Sequence, residues 1–300
     1  MKRTGMLAGL LLLANLAVPA HAADAENSKN ALIIQADFAG LVMTGVAYSV
    51  SKELDIFNVR PLIPLYDIRA ASQSLAYNAQ TWPAGTVFVS VVDPGVGTAR
   101  KSVVLKTRNG LYFVSPDNGS LSGPANAYGI DAVREIDESV NRIPGSEWSH
   151  TFHGRDVYSY TGARLAAGVI SYEQVGPLLA PEVIMLEELG ARLEDGVLHG
   201  YVTSGTGRLG NVAFSIDRHL FEQVEPEYGE LYDIVIRNRG EVAWQGVVPY
   251  AKSFGSVPVG DNLLFVNSSG FTSLAVNQGQ FASKYGIGAG DAWTVEIRKK

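Results

Sequence analysis

From Ala31 onward the chain alternates short apolar runs with breaks rich in glycine, proline and asparagine. Residues 31–36 (A-L-I-I-Q-A) form one such run, and residues 86–92 (T-V-F-V-S-V-V) form a stronger one, β-branched and aromatic and bounded by turn residues. Runs of this length and make-up predict buried strands. Two more are expected at 102–105 and 111–114, joined through Arg108-Asn109-Gly110, because Asn-Gly between apolar runs signals a hairpin. Helices are expected over 64–79, after Pro64, and over 156–167, where Gly168 supplies a stop. Residues 178–194 are rich in Leu, Glu and Pro and read as a link between two parts. Beyond the link, strand-like runs at 210–216, 232–237, 242–247, 263–266 and 293–297 alternate with Gly and Asn turns, and no long helical pattern interrupts them. The expected architecture is an α/β N-terminal domain over 30–187 with a central, mostly parallel sheet, followed by a smaller all-β C-terminal domain over 195–300, a barrel-like fold or a sandwich.

The beginning of the chain follows a different pattern. Lys2 and Arg3 precede an apolar stretch at 10–18 and the small-x-small sequence Ala20-His21-Ala22. That arrangement predicts a secretory signal over 1–22, removed after Ala22, so the protein is expected to be exported, periplasmic or secreted. The apolar stretch is too short to span a bilayer comfortably, which leaves a retained N-terminal anchor as the lesser alternative, and no other segment suits a membrane. The chain has no cysteine, which excludes disulfides and thiolate metal sites. An apolar fraction of 46% can fill a full core. The net charge of -6, with basic residues scattered, argues against a nucleic-acid surface. No metal and no cofactor is expected.

The candidate chemistry lies just beyond the 86–92 run. Asp93 stands at the strand's end, and Pro94, Gly95 and Gly97 force an irregular loop that leads to Arg100. In open α/β sheets ligands bind beyond the carboxyl ends of strands. His153 lies in a second glycine-containing turn, T-F-H-G-R-D over 151–156. An acid, a cation and a base that converge at loops make a candidate water-activating site. Taken alone, D-P-G also describes an ordinary turn that Asp93 caps, with Arg100 an ordinary surface arginine. A phosphate-binding loop is excluded, because no GK[ST] follows the glycines and a strand comes next. Asp37 ends the first run, where a carboxylate is placed either to accept two bonds from a ribose diol or to cap the next segment.

The sequence V-V-D-P-G-V-G-T-x-R over 91–100, then P-D-N-G over 116–119, then T-F-H-G-R-D, in this order and spacing, resembles the S-adenosyl-L-methionine hydroxide adenosyltransferase family, which is related to the fluorinase and chlorinase enzymes. The resemblance continues through V-N-S-S-G over 266–270 and the G-A-G-D-A-W-T-V ending. It implies hydrolysis of S-adenosylmethionine to adenosine and methionine, with Asp93, Arg100 and His153 preparing the attacking water. It further implies substrate contacts at Asp37 and Phe38 in an altered A-D-F-A segment and at Tyr66, for which core packing is the alternative; Asn118 lies in a turn that its chemistry alone marks as structural and whose backbone would wall the pocket. Asp217 and the turn Asn267, Ser268 and Ser269 would hold the rest of the ligand. Where the halogenating relatives use hydroxyl side chains to bind halide, this chain has Val96 and Gly154, which points to hydroxide rather than halide transfer. A homotrimer, with each pocket between one subunit's first domain and its neighbour's second, is also implied. Two other readings remain: an exported protein that binds an adenosyl ligand without turnover, and the same chemistry on another 5′-substituted nucleoside.

Overall fold

The computed structural model describes residues 30–187, 190–205 and 209–300. The secretory signal expected at 1–22 lies outside the described residues.

The first sheet has the order β2-β1-β3-β5-β4-β6, formed by β1 (Leu32–Ala36), β2 (Ile56–Asn58), β3 (Val87–Val91), β4 (Ser102–Thr107), β5 (Tyr112–Pro116) and β6 (Ile130–Glu135). β1 runs parallel to both β2 and β3, as expected where helices connect β1 to β2 and β2 to β3, and β3 also runs parallel to β5. β4 is antiparallel to both β5 and β6, so the sheet is mixed rather than parallel throughout. The reason is local: the Asn109-Gly110 turn, with Gly110 at φ +82°, folds β4 directly back onto β5, and a tight turn can join only antiparallel neighbours.

Both faces of this sheet are covered. α1 (Leu41–Val50) and α4 (Tyr160–Ala166) pack on one side, around Leu32, Ile34, Val89 and Val91. α2 (Ile68–Ala79) and α3 (Ser122–Tyr128) cover the other, around Ile33, Phe88 and Phe113. That double cover explains why the strands read as continuous apolar runs. α2 starts later than Pro64, because Asp67 caps it by accepting the Ala70 N–H at 2.8 Å. The helix expected from Asp156 starts earlier, as a π-helical turn over Gly154–Ser159 that runs into α4.

The second sheet contains β7 (Arg192–Glu194), β8 (Val197–Ser204), β9 (Val212–Asp217), β10 (Leu231–Asn238), β11 (Glu241–Pro249), β12 (Asn262–Val266), β13 (Phe271–Val276) and β14 (Gly290–Lys299). Its order is β11-β10-β14-β8-β9-β13-β12, with β7 added on β8, and every ladder is antiparallel. A bridge from Tyr250, just after β11, to Leu264 of β12 ties the two ends of the order together into a barrel-like shape. Its interior holds Phe214, Tyr232, Ile236, Leu274, Phe281 and Ile297. Two short helices, α5 (Arg218–Glu222) and α6 (Phe281–Tyr285), interrupt the strands. Among the described residues no helix is long and apolar enough to cross a membrane.

Candidate active site

Asp93 follows the end of β3, and two successive turns bring the chain back over it: Val96 N–H to Asp93 O at 3.2 Å, then Thr98 N–H to Gly95 O at 3.1 Å. Gly97 makes the reversal possible. Its φ is +80°, and a Cβ there would stand 2.9 Å from the His150 carbonyl oxygen. The loop delivers Arg100 in a two-bond fork onto Asp93, Nε to Oδ1 at 2.9 Å and Nη2 to Oδ2 at 2.5 Å. The same guanidinium donates to Ser102 Oγ at 3.0 Å and to His153 Nδ1 at 3.1 Å. Tyr158 closes the cluster, its hydroxyl 3.1 Å from Ser102 Oγ and 3.4 Å from Asp93 Oδ2. The structure thus brings together Asp93, Arg100 and His153, residues up to 60 positions apart in the chain.

The cluster is dry. The Asp93 and Arg100 side chains are 5% and 10% exposed, and His153 is 7% exposed. Burial works against the Arg100 charge, but the Asp93 carboxylate, the Tyr158 oxygen and Glu138 together hold its pKa above the ordinary arginine value. Burial pulls the His153 pKa below its ordinary value; Glu138 opposes the shift, and the Arg100 and Arg142 charges reinforce it. Burial also pushes the Tyr158 phenol up, so that hydroxyl stays protonated. An imidazole that is neutral near pH 7, beside a fixed carboxylate–guanidinium pair, can orient a water molecule and take part in moving its proton.

A cavity of about 240 Å³ opens against this cluster. Asp37, Phe38, Tyr66, Asp93, Val96 and His153 line it, with Leu65, Val91, Thr151, Phe152 and Gly154 completing the wall. Asp37 Oδ2 accepts the Tyr66 N–H at 2.9 Å and holds that residue at φ +62°, while Oδ1 has no protein partner among the described residues. Phe38 packs edge-on against Phe152, with ring centroids 5.6 Å apart. Gly154 lets the π-helical turn approach β3, since a Cβ there would meet Val91 Cγ1 at 3.0 Å and Phe38 Cζ at 3.4 Å. Neither Val96 nor Gly154 puts a hydroxyl into the cavity.

The remaining expected residues sit elsewhere. Asn118 donates its amide N–H to the Val92 carbonyl at 2.9 Å and its oxygen accepts from the Ser120 hydroxyl at 2.8 Å, so its side chain clamps the P-D-N-G turn to the end of β3 and does not line the cavity. Asp217 caps α5 by accepting the Leu220 N–H at 2.8 Å. Asn267 braces its own turn through the N–H groups of Ser269 and Phe271, and Ser268 and Ser269 are exposed. These four residues form a second group, because Phe271 pairs with Asp217 and the Arg218 N–H donates to Gly270 O at 2.7 Å. Within one chain this group does not reach the cavity. Sequence reasoning missed Ser102, Tyr158 and Glu138. Tyr158 is five residues after His153, and only a π-helical turn puts both on the Asp93 side. Among the described residues no cluster of three or more His, Asp or Glu side chains could hold a metal ion.

Residues 34–176 match the family model of the SAM hydroxide adenosyltransferase N-terminal domain, and residues 208–294 match that of the C-terminal domain. An (R)-S-adenosyl-L-methionine hydrolase from Salinispora arenicola is 33% identical over 250 residues, covering 82% of this chain and 88% of that protein. A fluorinase from an Actinoplanes species is more distant, 25% identical over 276 residues, covering 84% of this chain and 90% of that protein. An uncharacterized conserved protein of solved structure from Thermotoga maritima superimposes with a TM-score of 0.80 at 30% identity, covering 89% of this chain and 100% of that one. With both family models matched in order over most of its length, the chain belongs to the SAM hydroxide adenosyltransferase family.

Proposed function

We propose that this protein hydrolyses S-adenosyl-L-methionine to adenosine and L-methionine by attack of water on the ribose C5′ carbon. The observation that carries the reading is the buried Asp93–Arg100–His153 cluster opening directly onto the cavity that Asp37 lines. The sulfonium is already a good leaving group, because it departs as a neutral thioether and needs no acid. The demand falls on the nucleophile. Holding one water in line with the C5′–S bond supplies effective molarity, and the buried cluster orients and deprotonates it. The new O–C5′ bond forms as the C5′–S pair returns to sulfur, and one proton leaves to solvent. Asp37 Oδ1 is available for the ribose hydroxyls. Val96 and Gly154 offer no hydroxyl to a halide, which favours water over halide as the nucleophile.

Asp217 and the 267–269 turn are assigned to the rest of the ligand. Because they stand apart from the cavity within one chain, the reading includes a homotrimer in which a neighbour's second domain, residues 195–300, completes the pocket of the first, residues 30–187. It also includes export, with cleavage after Ala22. Hydrolysis in ¹⁸O-water by purified protein tests the chemistry. The label is expected in the adenosine 5′-hydroxyl, and label elsewhere, or no turnover, refutes it. Light scattering that finds only monomer at micromolar concentration counts against the shared pocket, and an intact Met1 on the cellular protein counts against export.

A further inference from the structure

A second cavity, about 330 Å³, lies on the other side of His153. Gly97, Thr98, Glu138, Arg142, Glu147 and His150 line it together with His153. The two cavities share a single lining residue among the described ones, His153. A substrate that fills the front cavity therefore closes one side of a residue that is already only 7% exposed, and the rear cavity remains as its route to solvent.

The contacts of the ring are unequal. Nδ1 accepts from Arg100 Nη2 at 3.1 Å, and a guanidinium can only donate. In this arrangement the proton of the neutral ring must sit on Nε2, which has no protein partner among the described residues. A ring in that form has no lone pair on Nε2 for a water proton. The base-competent tautomer carries its proton on Nδ1 instead and needs an acceptor there. Glu138 Oε1 is 4.0 Å from Nδ1, on the rear side. The other oxygen of Glu138 is bonded to Arg142 Nη1, and Arg142 is itself anchored on the carbonyls of Ser146 and Ser149. The carboxylate is thereby aimed at the ring and only about 1 Å beyond hydrogen-bond reach.

We propose that Glu138 is a positioning residue that draws the His153 proton to Nδ1, freeing Nε2 as the base, and that the reaction's proton leaves through the rear cavity. This rests on the hydrolase reading. As O–C5′ forms and C5′–S breaks, the water proton passes to Nε2. The imidazolium then releases its Nδ1 proton to Glu138 and from there to rear-cavity water. Nδ1 returns to Arg100, which is the arrangement seen here. Departure of the products lets Nε2 lose its proton to the front while Nδ1 regains one from the rear. One proton reaches solvent per turnover, as the overall reaction requires.

The test is Glu138→Gln in the full chain, with S-adenosylmethionine as substrate. The plateau kcat is expected to fall about 10- to 100-fold, less than for a wholly buried tautomer partner, with KM within about twofold. Of the charges facing the ring, Glu138 and Asp93 favour the protonated form and Arg100 and Arg142 oppose it. Loss of the Glu138 charge should therefore move the acid limb of the kcat profile to lower pH. An unchanged plateau and an unmoved limb overturn the inference. Nitrogen-15 shifts of the ring give a second, activity-independent reading. Wild-type protein with S-adenosylhomocysteine, a substrate analogue that lacks the sulfonium leaving group, in the front cavity should populate the Nδ1–H form, and Glu138→Gln should deplete it. A wild-type ring held as Nε2–H overturns the proposal even if the variant proves unstable. Failure of the wild type to turn over substrate strikes the hydrolase reading instead, and the nitrogen shifts still decide the role of Glu138.

Discussion

Arg100→Gln is the most informative single change, because four acceptor atoms converge on one guanidinium: Asp93 Oδ1 and Oδ2, Ser102 Oγ and His153 Nδ1. Glutamine is neutral, shorter and carries two amide N–H bonds in place of the fork. It leaves an Asp93 side chain that is 5% exposed with the Tyr158 hydroxyl, 3.4 Å away, as its remaining partner. Removing one member of such a pair typically costs about 3–5 kcal/mol, since the remaining charge stays buried. Arg100→Lys separates charge from geometry. It keeps the cation but donates from one nitrogen, so it loses two or three bonds worth about 1 kcal/mol each, or roughly 2–3 kcal/mol in all. Urea unfolding should therefore rank wild type above Lys and Lys above Gln, with an unchanged slope. Turnover should fall at least about 100-fold in both, because Asp93 and His153 lose their common anchor and a misplacement of about 1 Å is costly in an aligned reaction. A Gln variant within about 1 kcal/mol of wild type, or a Lys variant with wild-type turnover, would refute the claim that this fork holds the site.

His153→Ala should cut kcat by roughly 10²–10⁴-fold while leaving substrate affinity, read by calorimetry, nearly unchanged. Asp37→Ala should instead weaken binding, both by stranding the ribose diol and by releasing the Tyr66 N–H that now fixes the left-handed turn. Because burial lowers the His153 pKa, the active neutral ring persists as pH drops, so the acid limb of kcat/KM should fall below about pH 6.5, the unperturbed value; a limb centred above 7 contradicts this. The same shift makes the unfolded chain bind more protons than the folded one between the lowered value and about 6.5, so this group's contribution to stability is lost as pH falls through that window. Gly154→Ala should destabilise the fold by about 1–3 kcal/mol, since its Cβ would press on Val91 at 3.0 Å in a packed wall; thermal unfolding within error of wild type would show that the wall yields.

The sequence alone determined the strands β1, β3, β4 and β5, because both faces of that sheet are buried and continuous apolar runs are the direct consequence. It likewise placed Asp93 at a strand end and showed that Pro94, Gly95 and Gly97 must break the chain there. It did not reveal α1, whose exposed Leu41, Val42 and Tyr48 erase the polar–apolar alternation by which a surface helix is read. Nor did it separate Asn118 from the true lining residues, since a turn asparagine that clamps its own loop looks the same as one that binds a ligand. The tertiary structure decided the rest. The turns around Gly97 return Arg100 to Asp93, and the π-helical turn carries Tyr158 to the same carboxylate while His153, at its start, meets Arg100. The loop after β6 sets Glu138 behind the ring. Each of these contacts joins residues without sequence periodicity in common, and their chemistry depends on distances of about 3–4 Å that only the folded backbone sets.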